Sequence, residues 1–140
     1  MSDIDIMART LYGEARGEGL EGMEAVASVI MNRCRPGKWY CGYINRNGEK
    51  IPSVAQTCLK RCQFSCWNRD DPNREKISSV TAKDAVFRQC LLIAQRALSG
   101  ELGDSTGGAV YYHHIDCKPY WAVGKKPCYK CGHHLFYREE

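Results

Sequence analysis

Residues 12–33 read YGEARGEGLEGMEAVASVIMNR, and the stretch divides at its glycines. Ahead of them, Ile4, Met7, Ala8 and Leu11 recur at helical spacing, with Ser2 or Asp3 placed to cap the helix. Behind them, Met23, Ala25, Val26, Ala27, Val29, Ile30 and Met31 predict a strongly apolar, buried helix that starts near Glu21 and ends between Asn32 and Pro36. Between the two, residues 14–19 read as a helix end or a tight loop. A glycine in a helix interior costs about 1 kcal/mol relative to alanine. Gly13, Gly17 and Gly19, set among Glu14, Glu18, Glu21 and Glu24, therefore call for a reason other than helix formation.

Working outward, 140 residues suffice for one compact domain with its own core, and residues 1–140 are expected to form a single domain. Hydrophobic and charged fractions of 44% and 26% are those of an ordinary globular chain. The net charge of +4 suits an anionic partner such as a cell wall or a nucleic acid without choosing between them. No basic run resembles a nucleic-acid arm, so no nucleic-acid partner is expected. The longest apolar stretch, residues 25–31, is too short to span a bilayer, and no membrane insertion is expected. The opening MSDIDIMARTLYGE lacks a basic segment followed by an apolar one. The expectation is a monomer made in the cytoplasm that reaches its site of action by another route.

Further along, Asn47-Gly48 in NRNGEK predicts a hairpin. Residues 54–59 suggest a helical turn, and CQFSCWNRDDPNRE reads as an ordered surface loop. Residues 81–98 form an amphipathic pattern stopped by Gly100, and short β-favouring runs lie at 109–112 and 134–137. The fold class expected is α+β, mainly helical, with a small antiparallel sheet.

Cleavage of a glycosidic bond needs a carboxylic acid to protonate the leaving oxygen. Glu14 has a suitable setting: Leu11 and Tyr12 precede it, and Gly13 leaves one side open to a ligand. The competing reading is a solvated loop in which Glu14 pairs with Arg16 or Arg33. Glu18 would lie one turn from Glu14 in a continuous helix, where repulsion would raise one pKa. It is read here as a supporting partner of Arg16 or Arg33. Glu21 and Glu24 suit the dipole at a helix start. Aromatics fall in two clusters, Phe64 with Trp67 and Tyr111 through Tyr137, interleaved with Gln63, Ser65, Asn68, His113 and His114. Flat apolar faces beside polar groups are what a saccharide groove uses, although most aromatics belong to cores. Gln63, Phe64, Ser65, Tyr111, Tyr112, His113 and Trp121 are the expected groove residues.

Three blocks now carry a resemblance: EARGE with an apolar helix closing in NR, QFS within CQFSCW, and YYHHIDCKPYWAVGKKPCYKCGHHLFYRE with its G-x-H-x-F-Y ending. In this order they resemble the SleB-type cell-wall hydrolases, a family of spore-cortex-lytic enzymes with many phage and bacterial relatives, across residues 6–138. The resemblance implies a lysozyme-like fold of the goose-type and transglycosylase-related kind, with peptidoglycan glycan strands as partner. It also implies Glu14 as the catalytic glutamate of a lytic transglycosylase that cuts between N-acetylmuramic acid and N-acetylglucosamine. His134 falls at the histidine of the last block, where a supporting or site-lining role is implied. A phage-type lysin acting on the wall would fit the cytoplasmic start. The alternatives are an N-acetylmuramoyl-L-alanine amidase and a non-catalytic zinc-knuckle module that binds the wall.

Nine cysteines set the chain apart from the usual family pattern. Cys90 falls on an apolar helix face, where a buried thiol is the default. Cys58, Cys62 and Cys66 are spaced by four, and the resemblance implies disulfides near the QFS block when such an enzyme works outside the cytoplasm. Cys128 and Cys131 form C-x-x-C, and with Cys117 and His133 they would make a structural zinc site that staples the long loop. A disulfide from Cys117, or plain thiols, is the other reading. No cofactor is expected for catalysis.

Overall fold

The computed structural model describes residues 1–61 and 63–139. Cys62, and with it the middle of the cysteine triplet, lies outside the described residues. Helix α1 spans Asp3–Ala15 and begins at Ser2, whose hydroxyl accepts the Asp5 N–H at 3.2 Å. Helix α2 spans Gly19–Arg33. Strands β1 (Tyr43–Arg46) and β2 (Glu49–Pro52) form the expected hairpin. Asn47 and Gly48 both have positive φ, the signature of a two-residue turn that matches strand twist. Three more helices follow: α3 (Val54–Leu59), α4 (Arg74–Ser79) and α5 (Ala85–Leu98). The chain closes with β3 (Tyr111–His114), β4 (Tyr129–Cys131) and β5 (His134–Tyr137), antiparallel in the order β3-β5-β4.

Helix α1 is the hub, packed against each of the other four helices. Leu11, Met23, Val26, Ile30 and Ile77 are fully buried there, each contributing about 1.5–3 kcal/mol by leaving water. Polar contacts then fix the irregular segments to this hub. Arg9 donates to the carbonyls of Ile77 at 2.6 Å and Val80 at 3.0 Å, closing the end of α4 onto α1. The Trp67 indole N–H donates to Thr10 at 2.9 Å and seats the short 3₁₀ turn Ser65–Trp67. Asp84 caps α5 through the N–H groups of Val86 and Phe87 and also accepts the Tyr12 hydroxyl.

Several expectations shift. Helix α1 runs on through Ala15, so Glu14 stands on its last turn rather than in a loop. The stretch read as a surface loop holds the 3₁₀ turn and the first two residues of α4, because Phe64 and Cys66 are buried there. Helix α5 begins four residues later than 81, where Asp84 supplies the cap. The strand expected at 109–112 lies at Tyr111–His114, and the edge strand β4, at three residues, was too short to leave a pattern that announced it.

Candidate active site

Glu14 faces an open cavity of about 460 Å³ lined also by Arg33, Gln63, Ser65, Asn68, Tyr112, His113, His114, Cys117 and His134. Among the described residues lining it, Glu14 is the only carboxylate. Three elements converge there: the end of α1, the segment around the 3₁₀ turn, and the β3–β5 pair. The Tyr112 hydroxyl donates to one carboxylate oxygen of Glu14. The Cys66 N–H donates to the other at 3.4 Å, so both oxygens are held in place. Burial, followed by the charge of Glu14, raises the Tyr112 hydroxyl well above the usual tyrosine range and keeps it a donor.

Gly13 serves this arrangement differently from the sequence expectation. A Cβ there would lie 2.7 Å from Cys66 Cβ, 2.8 Å from its Sγ and 2.9 Å from Ile77. The glycine admits the 3₁₀ turn against α1 rather than leaving room for a ligand.

Arg33 closes the floor. It is buried, donates to the Val110 carbonyl at 2.6 Å and to Gln63 Oε1 at 3.3 Å, and lies 4.8 Å over the Phe64 ring. Burial lowers its pKa, and the nearby Tyr112 hydroxyl and Glu14 carboxylate oppose that effect. Phe64 is only 3% exposed and lines neither groove cavity, so it supports Arg33 from below instead of touching a ligand. Beyond Tyr112 the groove continues as a second cavity of about 430 Å³, lined by Arg33, Trp39, Gln63, Tyr111, Tyr112, Trp121 and Lys125. Gln63, Ser65, Tyr111, Tyr112, His113 and Trp121 thus line the continuous groove with Glu14. Trp39, Arg33 and Lys125 are additional lining residues. The NR ending of the first block was a sign of Arg33, whereas nothing in RPGKWY set Trp39 apart from a loop aromatic.

Glu18 caps the opposite junction. Its carboxylate accepts the His133 backbone N–H at 2.7 Å and lies 3.2 Å from the His133 ring. It pairs with neither arginine: Arg16 binds the Tyr12 carbonyl and Asn73 instead. Gly132, at φ +56°, makes this contact feasible, since a Cβ there would meet Glu18 Oε1 at 2.6 Å. Burial opposes the charge of Glu18, but the His133 backbone and ring outweigh it and hold the carboxyl below its ordinary value. His134 is buried beside Tyr112, with ring centroids 5.0 Å apart, and its Nδ1 has no hydrogen-bond partner among the described residues. Burial drives its pKa down, against the nearby charge of Glu18.

Both shifts have the same sign for stability. The neutral His134 and the charged Glu18 are favoured by folding, so their contributions are present above the ordinary values of 6.5 and 4.5 and fade as the pH falls below each. The melting temperature is expected to drop in two steps on acidification. His134→Phe, which keeps an aromatic ring against Tyr112, should abolish the upper step in a calorimetric pH series; an unaltered upper step would assign it to another group.

The zinc expectation is not met by the donor geometry. Cys117 lines the Glu14 cavity, the Cys128 thiol donates to the Thr106 carbonyl, Cys131 is buried in β4 and the His133 ring faces Glu18. Among the described residues no three His, Cys, Asp or Glu side chains converge to hold a metal. The eight described cysteines are free thiols, and burial pushes Cys58 and Cys90 each up to about 12.

A helical frame faced by a small sheet, with a single carboxylate at the floor of an open groove, defines a lysozyme-like class of domain. The catalytic domain of the Bacillus cereus SleB protein matches 97% of this chain and 89% of its own, with a TM-score of 0.69 and 26% identity. The catalytic domain of the germination-specific lytic transglycosylase SleB from Bacillus anthracis matches with the same TM-score and identity, over 97% and 93%. The spore cortex-lytic enzyme of Bacillus subtilis strain 168 is 56% identical over 137 residues, 96% of this chain and 37% of that protein. The profile of the Cell Wall Hydrolase family matches residues 17–137. The chain belongs to the Cell Wall Hydrolase family of enzymes. It spans less than half the length of the relatives it matches, 37% in the case just given. The family match begins just past Glu14, so the part given to that residue rests on the geometry above.

Proposed function

We propose that the domain cleaves peptidoglycan glycan strands as a lytic transglycosylase, with Glu14 as acid and then base. The observation that carries this reading is that Glu14 is the single carboxylate among the described residues lining the groove. Hydrolysis by the common two-carboxylate routes requires a second Asp or Glu roughly 5–9.5 Å from the first. A lytic transglycosylase requires only one, because the nucleophile is the 6-hydroxyl of the muramoyl residue itself. Protonated Glu14 gives its proton to the glycosidic oxygen between N-acetylmuramic acid and N-acetylglucosamine, and the C1–O bond breaks. The Glu14 carboxylate then takes the 6-hydroxyl proton as that oxygen bonds to C1, closing a 1,6-anhydro ring and restoring the acid. Tyr112 and the Cys66 N–H hold the carboxyl in place through both steps. Trp39, Tyr111 and Trp121 offer flat faces to the sugar rings on one arm of the groove. The likeness to the Bacillus anthracis domain, which belongs to a lytic transglycosylase, supports the same reading.

The amidase alternative draws less support. The common zinc-dependent type needs three converging protein ligands with an open fourth position, and no such trio forms among the described residues. No described helix is long and apolar enough to cross a membrane. Wall digestion followed by mass spectrometry of the soluble fragments tests the reading. Disaccharide-peptides ending in anhydromuramic acid are the expected product; free stem peptides beside uncut strands would overturn it in favour of the amidase.

A further inference from the structure

Outside the groove, the outer face of the sheet and the segment that follows β3 enclose another cavity, of about 330 Å³. Ligand-sized cavities begin at about 300 Å³. Its lining is mainly apolar: Ile115, Pro119, Val123 and Leu135, with Tyr137, and one cation, Lys118. Leu135 and Tyr137 share the face of β5 that lines this cavity, because alternation puts His134 and Phe136 on the other face. Val123 is 74% exposed and so open to a ligand in this cavity.

His113 is the wall between this cavity and that of Glu14, since its ring lines both. The ring is fixed. Its Nδ1 meets the His114 carbonyl at 2.8 Å and must donate there, so Nε2 accepts from the Tyr137 hydroxyl, also at 2.8 Å. Neither nitrogen is free for a ligand, which leaves the ring as a rigid partition. Lys118, Lys125 and Lys126 make no ion pair with a carboxylate among the described residues.

We propose that this cavity receives the peptide stem of the muramoyl residue held at Glu14. The inference rests on the glycan-cleaving reading and adds a second part of the substrate to it. The stem is joined through a lactyl ether to C3 of the sugar whose C1 reacts, so it leaves the ring beside the scissile bond. It begins with two methyl groups, those of lactate and alanine, and then carries the carboxylate of a glutamate. That order of small apolar groups followed by an anion suits an apolar cavity with a lysine at its edge. A strand without stems keeps its N-acetyl and lactyl methyls and a lactyl carboxylate close to the ring, but it lacks the alanine methyl and the carboxylate beyond it, the groups that suit an apolar cavity with a lysine at its edge.

Two measurements test the assignment. The first follows amide shifts of the protein by NMR during titration with N-acetylmuramoyl-L-alanyl-D-glutamate and, separately, with N-acetylmuramic acid. Shifts at Leu135 and Val123 are expected only with the peptide-bearing probe, and Lys118→Glu should weaken that binding about fivefold, the upper range for one exposed charge contact. Equal shifts with the bare sugar, shifts confined to the Trp39 arm, no binding, or an unaffected Lys118→Glu would each overturn the proposal. The second compares kcat/KM on native strands with that on strands stripped of stems by an amidase. The wild type should favour native strands, chiefly through KM, and Lys118→Glu should narrow the ratio. Equal rates on both substrates would overturn the stem site while leaving cleavage intact. Failure to cut either substrate, with the NMR result as expected, would instead remove the cleavage reading.

Discussion

Glu14→Gln is expected to lower kcat on purified peptidoglycan by about a thousandfold or more, with the melting temperature little changed. General acid–base catalysis by one positioned group supplies roughly 10²–10⁴-fold. Here the same carboxyl serves in both halves of the reaction, and no second carboxylate among the described residues lines the cavity to substitute for it. Glutamine retains the shape and the acceptor oxygen for Tyr112, so the contacts across the groove are largely kept. The assay is turbidity loss of purified walls beside a thermal melt. A variant with wild-type activity would remove Glu14 from its role. A variant that melts far lower would show a structural residue rather than a chemical one.

The second large effect concerns a glycine. Gly13→Ala should destabilise the domain by about 2 kcal/mol, a fall of about 6 °C in melting temperature, because the added methyl meets Cys66 and Ile77 at under 3 Å. Both neighbours are buried, so the strain has no easy outlet. It would displace the 3₁₀ turn whose Cys66 N–H holds Glu14, and activity should fall along with stability. A glycine left open for a sugar would behave otherwise: the alanine variant would keep its melting temperature and lose only substrate affinity. Gly17 is the control, since nothing lies within 4 Å of a Cβ built there.

These two residues show what the sequence made legible. The apolar periodicity on either side of the glycines placed α1 and α2, because burial of one helix face leaves a repeat that needs no knowledge of the partner. Asn47-Gly48 placed its hairpin for a similarly local reason, the positive φ of both residues. Glu14 was legible as a candidate carboxylate in an aromatic setting. The identity of its partners was not, since Tyr112 is 98 residues away in sequence. Glu18 illustrates the same limit: its partner is His133 on the β4–β5 turn, not an arginine near it in sequence. The C-x-x-C spacing suggested a metal, but spacing does not fix direction, and strand pairing turns Cys128 toward Thr106 and buries Cys131 within β4. Phe64 looked like a groove residue because the sequence cannot tell an aromatic that meets a sugar from one that supports an arginine.

The central claim is that a single carboxyl performs the whole reaction with no water as nucleophile. Digestion of peptidoglycan by the wild-type domain in H₂¹⁸O, followed by mass spectrometry of the glycan ends, tests it most directly. The account predicts 1,6-anhydromuramoyl ends that carry no ¹⁸O. Reducing muramic acid ends bearing one ¹⁸O would show that water attacks the anomeric carbon and would contradict it.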